Sequence, residues 1–229
     1  FEKFKNFDIY VPIDGEVGFS NIVEKVIQRD SKKIRDAALE SPLAGCIIKN
    51  SEDRLLYSLG DTRIKNLDEI PSPYLTGLVD KFFDDKLIPM LQTNRGCPFS
   101  CTFCTDGREA VNMVNRFSKQ RTTDEINYIA THVKKNVHSM FISDLNFGMI
   151  PGDIETCKSI TNVQEKYNYP HKLLTTTGKN NKKKIIESIK SLSSSLSLSM
   201  SVQSMDDQVL KNIKRDNISK DVMLELAPV

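Results

Sequence analysis

From about residue 87 onward, short apolar runs alternate with amphipathic segments along the chain. This alternation predicts strands and helices in turn, which implies parallel strands joined by right-handed crossovers. The sequence therefore predicts an α/β fold with about four βα units. The predicted strands are residues 88–92, 139–144, 173–177 and 196–203, and the predicted helices cover residues 122–133, 152–167, 185–192 and 206–213.

The first of these helices carries a start signal of its own. Thr122 followed three residues later by Glu125 is the pattern of a capping box, with Thr122 as the N-cap. An apolar stripe with helical spacing follows. Its members are Ile126, Ile129, Ala130 and Val133.

The residues before 87 divide into two further regions. Residues 1–40 contain one extended piece at 8–12 and one amphipathic segment at 19–27, which is too little to bury a core. We expect them to be the end of a domain that begins upstream. Residues 41–86 hold many prolines and glycines and predict a connector with short strands at 46–49 and 54–57. Because four units do not close a barrel, residues 87–229 are expected to be the first part of a longer barrel.

Composition excludes several classes of protein. The net charge of +2, from 32 basic and 30 acidic residues, does not predict a nucleic-acid partner. No apolar run approaches the roughly 18 residues of a membrane span, and the first ten residues do not form a signal peptide. Five cysteines, three of them within eight residues, do not fit a secreted disulfide framework and predict a reducing cytoplasm.

Three cysteines are the strongest functional signal. Cys97, Cys101 and Cys104 have the spacing C-x3-C-x2-C directly after a predicted strand. Thiolates bind soft metal centres, and three of them can hold three irons of a four-iron cluster. A zinc site remains open as an alternative, as does a redox pair of Cys101 and Cys104. The fourth zinc ligand would come from Cys46, Cys157, His132, His138 or His171.

The last predicted strand alternates between apolar residues and small polar residues. Period two places Leu196, Leu198, Met200 and Val202 on one face and Ser197, Ser199, Ser201 and Gln203 on the other. A packed barrel interior would need bulky branched side chains. The serine face therefore predicts a lumen that holds a ligand. A serine-rich strand that faces solvent remains open as the alternative.

The cysteine motif, with Phe103 just before its last cysteine, resembles the signature of the radical S-adenosylmethionine (SAM) enzymes. Residues 67–74, followed by residues 95–98, look like the large subgroup with an N-terminal cobalamin-binding domain, and residues 15–26 are similar to the last strand and helix of that domain. The resemblance implies an incomplete (β/α)6 barrel at 87–229 and a cobalamin-domain remnant at 1–40. It also implies that Cys97, Cys101 and Cys104 hold a [4Fe-4S] cluster that reductively cleaves SAM to a 5′-deoxyadenosyl radical.

The same resemblance suggests which residues contact SAM. Phe103 is one of them, and the polar residues Asp144 and Asn146 lie where the family contacts the SAM amino group. The Gly-Gly-Glu motif usual at that place is absent, so a simple turn remains open there. Gln203 and Ser204, with Asp206 and residues 210–215, resemble the Gln-Ser element after the fourth strand. No catalytic residue is predicted.

The leading hypothesis is a cobalamin-dependent radical SAM enzyme that acts on an unactivated carbon of a small or medium-sized substrate, with methylation as one outcome. Cobalamin would be bound by residues upstream of Phe1, and a flavodoxin or ferredoxin would supply electrons. One rival is a cobalamin-independent radical SAM enzyme for rearrangement, epimerisation or sulfur insertion. The other is a structural module that binds zinc or a cluster. In each enzyme hypothesis the 229 residues alone are expected to be inactive.

Overall fold

The computed structural model describes residues 6–28, 41–60, 63–177, 186, 190, 192, 195–199 and 202–217, without the side chains of 195–199. The chain divides into two compact units, Phe1–Lys65 and Asn66–Val229. The break between the units differs from the predicted boundaries near residues 40 and 86. The assignment of residues 1–40 to a cobalamin-binding domain stays a prediction.

Among its described residues, the first unit contains a small antiparallel sheet and one helix. Strand β1 (Ile9–Tyr10) pairs with β2 (Cys46–Lys49), and β2 pairs with β3 (Leu55–Ser58). Helix α1 covers Gly15–Gln28, so the residues likened to a closing strand and helix are helical throughout. Cys46 and Ile48 are fully buried, and Ile9, Val11, Ile22, Leu43 and Leu56 pack against them.

The second unit is built on a parallel sheet of four strands in the order β4-β7-β8-β9. This arrangement confirms the predicted α/β fold with parallel strands. A short hairpin of β5 and β6 lies between β4 and β7 in the chain. The strands are β4 (Met90–Leu91), β5 (Asn94–Arg95), β6 (Asn115–Arg116), β7 (Ser139–Phe147), β8 (Lys172–Thr177) and β9 (Ser195–Ser199).

Three described helices accompany this sheet. They are α2 (Lys119–His132), α3 (Asp153–Tyr167) and α4 (Asp207–Asn212). Asp206 caps α4, because its side chain accepts a hydrogen bond from the Val209 N–H. The helix predicted around Ile185 and Ile189, like Ser201 of the serine face, lies outside the described residues. No described helix has both the length and the apolar character needed to cross a membrane.

One face of the sheet packs against α2 and α3 and forms the helix-facing core. Each fully buried aliphatic side chain there contributes about 1.5–3 kcal/mol to folding. The predicted stripe of α2 takes part, with Ile126, Ile129 and Ala130 buried and Val133 at its margin. The remaining buried members are Leu91, Met140, Ile142, Phe147, Cys157, Ile160, Val163, Tyr169 and Leu173.

The predicted start of α2 is wrong by one turn. Ser118 is the N-cap, since its hydroxyl accepts a hydrogen bond from the Arg121 N–H, and Thr122 lies inside the helix. Glu125 does not reach back to a cap. Its carboxylate accepts from Arg121 Nε at 2.8 Å and from the Ser72 hydroxyl, which holds the segment before β4 against α2. The Glu125 carboxylate that a capping box at Thr122 would use is thus bound to Arg121 and Ser72 instead.

Strand β7 runs three residues beyond its predicted end and contains a β-bulge. Its register to β8 shifts between Ile142 and Phe147, which pair with Thr175 and Thr177. Ile142 and Phe147 both lie in the helix-facing core although five positions separate them. A regular strand would place them on opposite faces, so the bulge reverses the alternation. Asn146, next to Phe147, therefore points to the face away from the helices.

Candidate functional site

The three cysteines lie in a long loop whose base is closed by the β5–β6 hairpin. The loop begins at Gly96, which has a φ of 109°. A side chain there would be strained, and its Cβ would lie 2.3 Å from the Met113 carbonyl oxygen. Directly after Gly96, the Cys97 N–H donates to the Val111 carbonyl at 3.1 Å. These contacts fix where the first cysteine leaves the sheet.

The other two cysteines are held by tight turns of the same loop. The Cys104 N–H donates to the Cys101 carbonyl at 3.1 Å, and the Gly107 N–H donates to the Cys104 carbonyl at 3.1 Å. A Cβ on Gly107 would lie 2.2 Å from the Cys101 carbonyl oxygen, so this turn admits only glycine. Cys97 and Cys101 are buried, and Cys104 is partly exposed.

The Asp144 carboxylate holds the chain just before the cysteine loop. Its carboxylate accepts hydrogen bonds from the Thr93 N–H at 2.8 Å, the Asn94 side-chain amide at 2.8 Å, the Asn94 N–H at 3.3 Å and the Thr93 hydroxyl. The side chain is 1% exposed. Burial raises the pKa of this carboxyl to about 6, against the lowering effect of these hydrogen bonds. Both oxygens are engaged within the protein, which argues against the direct SAM contact predicted for Asp144.

A buried ion pair adjoins Asp144. Arg116 Nη1 lies 2.7 Å from Asp153 Oδ1, and its Nη2 donates to the Thr93 hydroxyl at 3.4 Å. Asp153 Oδ2 accepts the N–H groups of Gly148 and Ile150 and so holds the turn after β7. Burial raises the pKa of Asp153, and the Arg116 guanidinium opposes that rise.

We call Thr93, Asn94, Arg116, Asp144 and Asp153 the carboxyl-end network. They lie just after β4, on the β5–β6 hairpin, in the second half of β7 and at the start of α3. Sequence reasoning missed Arg116 and Asp153. Asp153 follows Gly152 at a helix start, where an acidic residue is common for reasons of the helix dipole alone. Nothing in the sequence pairs it with an arginine 37 positions away.

Asn146 is the predicted site residue that the structure brings directly to a cysteine. Its Nδ2 donates to Cys97 Sγ at 3.3 Å, and the side chain is 1% exposed. Its Oδ1 is buried and has no hydrogen-bond partner among the residues that the structure describes. An unpaired buried oxygen costs free energy, so a donor from outside the described protein fits this position.

The remaining predicted SAM contacts lie at the rim of the loop. Phe103 is 51% exposed between Cys101 and Cys104. Gln203 is exposed, and Ser204 is partly exposed with its hydroxyl accepting from the Asp206 N–H. The Ile213 carbonyl accepts from the Thr102 N–H at 3.0 Å, which attaches the end of α4 to the cysteine loop.

The donor set of the loop fits a cluster. Three thiols on one loop are the soft ligands that iron–sulfur clusters use. Across the described part of the chain, no three His, Cys, Asp or Glu side chains lie close enough together to hold one metal ion. A four-iron cluster does not need three side chains around one metal ion, because its cysteine ligands bind separate irons. Asn146 Oδ1, which has no hydrogen-bond partner among the described residues, can accept a hydrogen bond from a ligand beside Cys97.

Fold and loop together define a parallel α/β domain that carries a three-cysteine loop at the carboxyl edge of its sheet, where such folds bind ligands. The sequence profile of the radical SAM superfamily matches residues 91–227, more than half of the chain. The chain belongs to the radical SAM superfamily. Membership implies a [4Fe-4S] cluster and SAM as cofactors, as the cysteine motif predicts.

Curated relatives extend the similarity beyond that region. The cobalamin-dependent radical SAM methyltransferase TokK of Streptomyces tokunonensis is 27% identical over 230 residues, covering 96% of this chain and 32% of the relative. The 2-(S-pantetheinyl)-carbapenam-3-carboxylate methyltransferase of Streptantibioticus cattleyicolor is 31% identical over 165 residues, covering 68% of this chain and 24% of the relative. The chain thus spans a third or less of the length of these relatives.

Solved structures show the same fold. The cobalamin-dependent SAM radical enzyme OxsB with aqua-cobalamin bound gives a TM-score of 0.66 at 19% identity, covering 95% of this chain and 31% of OxsB. The radical SAM methyltransferase TsrM from Kitasatospora setae, with tryptophan and a SAM analogue bound, gives a TM-score of 0.67 at 9% identity. This match covers 96% of this chain and 43% of TsrM. At these identities the likeness concerns the fold alone.

Proposed function

We propose that the full-length protein is a cobalamin-dependent radical SAM methyltransferase that acts on an unactivated carbon. The observation that carries the proposal is the three-cysteine loop at the carboxyl edge of the parallel sheet, with Asn146 hydrogen-bonded to Cys97. When bound, the cluster supplies the electron that cleaves SAM to methionine and a 5′-deoxyadenosyl radical. The chain's own residues hold, orient and shield these cofactors.

Cys97, Cys101 and Cys104 are the proposed cluster ligands. The burial of Cys97 and Cys101 keeps water from two of the three sulfurs, and the carboxyl-end network fixes the backbone at Thr93 and Asn94 just before the loop. Asp144 acts in this proposal as a support for that backbone. Preorganised ligands of this kind reduce the entropy lost when a cofactor binds.

SAM is proposed to lie against the loop and Asn146. The buried Asn146 Oδ1 fits a charged N–H donor such as the SAM amino group. Phe103 offers an exposed ring at the loop surface, and Gln203 and Ser204 precede the segment that Ile213 attaches to the loop. Arg215, which is 6% exposed, brings a guanidinium to that same segment.

The cobalamin part of the proposal is supported by relatives rather than by described side chains. TokK and OxsB are named as cobalamin-dependent, and their similarity covers 95–96% of this chain, well beyond residues 91–227. The assignment of residues 1–40 to the end of a cobalamin-binding domain, with the vitamin held by residues upstream of Phe1, belongs to the same proposal.

The proposal also includes partners and location. A small or medium-sized molecule is the substrate, and a flavodoxin or ferredoxin supplies electrons. No disulfide bond joins any of the five cysteines, all of which the structure describes, and this supports a reducing compartment such as the cytoplasm.

The test uses the full-length protein, purified and reconstituted without oxygen. With SAM and dithionite, we expect 5′-deoxyadenosine to form, and we expect cobalamin to copurify or bind in near-equal amount. Cys101→Ala is the control and should give no 5′-deoxyadenosine. A protein that cleaves SAM but does not bind cobalamin would support the cobalamin-independent rival instead.

A further inference from the structure

The contact between Asn146 and Cys97 joins two groups that are nearly removed from solvent. Cys97 is 3% exposed and Asn146 is 1% exposed, and the amide nitrogen lies 3.3 Å from the sulfur. This is an ordinary length for an N–H···S hydrogen bond, because sulfur is larger than oxygen. No described group other than Cys97 Sγ receives a hydrogen bond from this amide nitrogen.

The orientation of the amide follows from the chemistry of the sulfur. A metal-bound thiolate has lone pairs and no proton, so it can only accept hydrogen bonds. The amide must therefore present its nitrogen to Cys97. Its oxygen then faces the other way, where it has no partner among the described residues.

We propose that Asn146 is a positioning residue that sets the reduction potential of the cluster through its hydrogen bond to the Cys97 sulfur. The inference rests on the proposed function, because it assumes that Cys97 is a cluster ligand. Reduction adds negative charge to the cluster and its sulfurs, and a donor stabilises the more negative state. Hydrogen bonds to the sulfurs are one of the means by which proteins set such potentials.

The hydrogen bond to Cys97 also depends on what binds Asn146 Oδ1, which has no partner among the described residues. An N–H donor bound at Oδ1 polarises the amide and strengthens the bond from its nitrogen to Cys97. Binding of the SAM amino group at this oxygen therefore raises the reduction potential of the cluster. Asn146 therefore couples the binding of SAM to the reduction potential of the cluster.

The experiment is a redox titration of the reconstituted full-length protein, followed by electron paramagnetic resonance, with and without SAM. Asn146→Ala removes the donor, and Asn146→Asp replaces the amide by a group of the same size. Thr177→Val is the matched control, because Thr177 is buried on the neighbouring strand β8 and its hydroxyl has no partner among the described residues. Iron and sulfide contents are measured for each protein.

We expect both Asn146 variants to shift the equilibrium about tenfold toward the oxidised cluster, which is ~59 mV for one electron. The upward shift on adding SAM should shrink in both, and Thr177→Val should match the wild type. Unchanged potentials in both Asn146 variants, at wild-type iron content, would overturn the inference while leaving the proposed function intact. A wild-type protein that forms no cluster would instead overturn the proposed function.

Discussion

The helix-facing core and the carboxyl-end network share strand β7 and helix α3, yet they bury opposite kinds of side chain. Toward the end of β7, toward the first turn of α3 and just past the end of β4, apolar residues give way to polar ones with similarly low exposure. The pairs are Leu91 on β4 and Thr93 just after it, Ile142 and Asp144 on β7, and Cys157 and Asp153 on α3.

The thiols show what this difference means for chemistry. Cys157 lies in the apolar core, where burial raises its pKa to about 12 and keeps the group a neutral thiol. Cys97 is almost as buried, but it lies beside the network and receives a hydrogen bond from Asn146. The two regions therefore surround their cysteines differently: Cys157 is packed among apolar side chains, whereas the Cys97 sulfur accepts a hydrogen bond from an amide.

The largest expected effect tests this contrast directly. Cys97→Ala, Cys101→Ala or Cys104→Ala should abolish iron and sulfide binding, because each removes one of three ligands on one loop. Cys157→Ala and Cys46→Ala should retain the cluster, since both thiols lie in apolar cores. Iron and sulfide analysis after anoxic reconstitution measures the result. Equal loss of iron in Cys157→Ala would show that the contrast between the regions is wrong.

The next effect concerns the stability of the network. Arg116→Met leaves the buried Asp153 carboxylate without its cation and should lower the free energy of unfolding by about 3–5 kcal/mol. Arg54→Met, which removes a surface partner of Glu52, is the matched control and should cost about 0–1 kcal/mol. Urea unfolding measures both. Similar midpoints for the two variants would mean that the network contributes no more than a surface pair.

A third test uses the raised pKa of Asp144. Because its pKa is about 6 in the folded state and 3.8 in the unfolded chain, the folded state holds this proton more tightly. The contribution of Asp144 to the free energy of unfolding therefore falls by ~3 kcal/mol as pH rises from about 4 to 7. The difference between wild type and Asp144→Asn, measured by urea unfolding across this range, should show that fall.

Asp84 provides the control for this pH dependence. It is partly exposed, and hydrogen bonds from the Leu87 and Lys86 N–H groups lower its pKa below 3.8. Its contribution is therefore present above 3.8 and is lost as pH falls through its lower folded value. The difference between wild type and Asp84→Asn should be flat between about pH 5 and 7. A flat profile for Asp144→Asn as well would contradict the raised pKa.

The smallest expected effect is on SAM binding. Asn146→Ala removes one hydrogen bond to a charged group, worth about 1.5–3 kcal/mol, and should raise the Kd for SAM roughly ten- to hundredfold. Gln203→Ala, at an exposed position, should weaken binding less, by about tenfold at most. Calorimetry on the reconstituted full-length protein measures both constants. Wild-type affinity in both variants would remove these residues from the SAM site and leave the cysteine assignment untouched.

Much of this site could be predicted from local patterns. The spacing of Cys97, Cys101 and Cys104 is a property of one short segment, and so is the alternation that predicts parallel strands. The position of polar residues near the carboxyl end of β7 also predicts that they belong to the site. The roles of Asp144 and Asn146 could not be separated from the sequence, because both are predicted as SAM contacts from their position near the end of the same strand.

The sequence by itself determined the α/β class, the parallel order implied by crossovers, and the family, because hydrophobic period and motif spacing are local. Only the tertiary structure decided that a bulge after Ile142 turns Asn146 toward Cys97 and that Arg116 pairs with Asp153. It also decided that Ser118 rather than Thr122 is the N-cap of α2. These features depend on partners far away in the chain, and no local pattern specifies which distant group will satisfy a buried charge or amide.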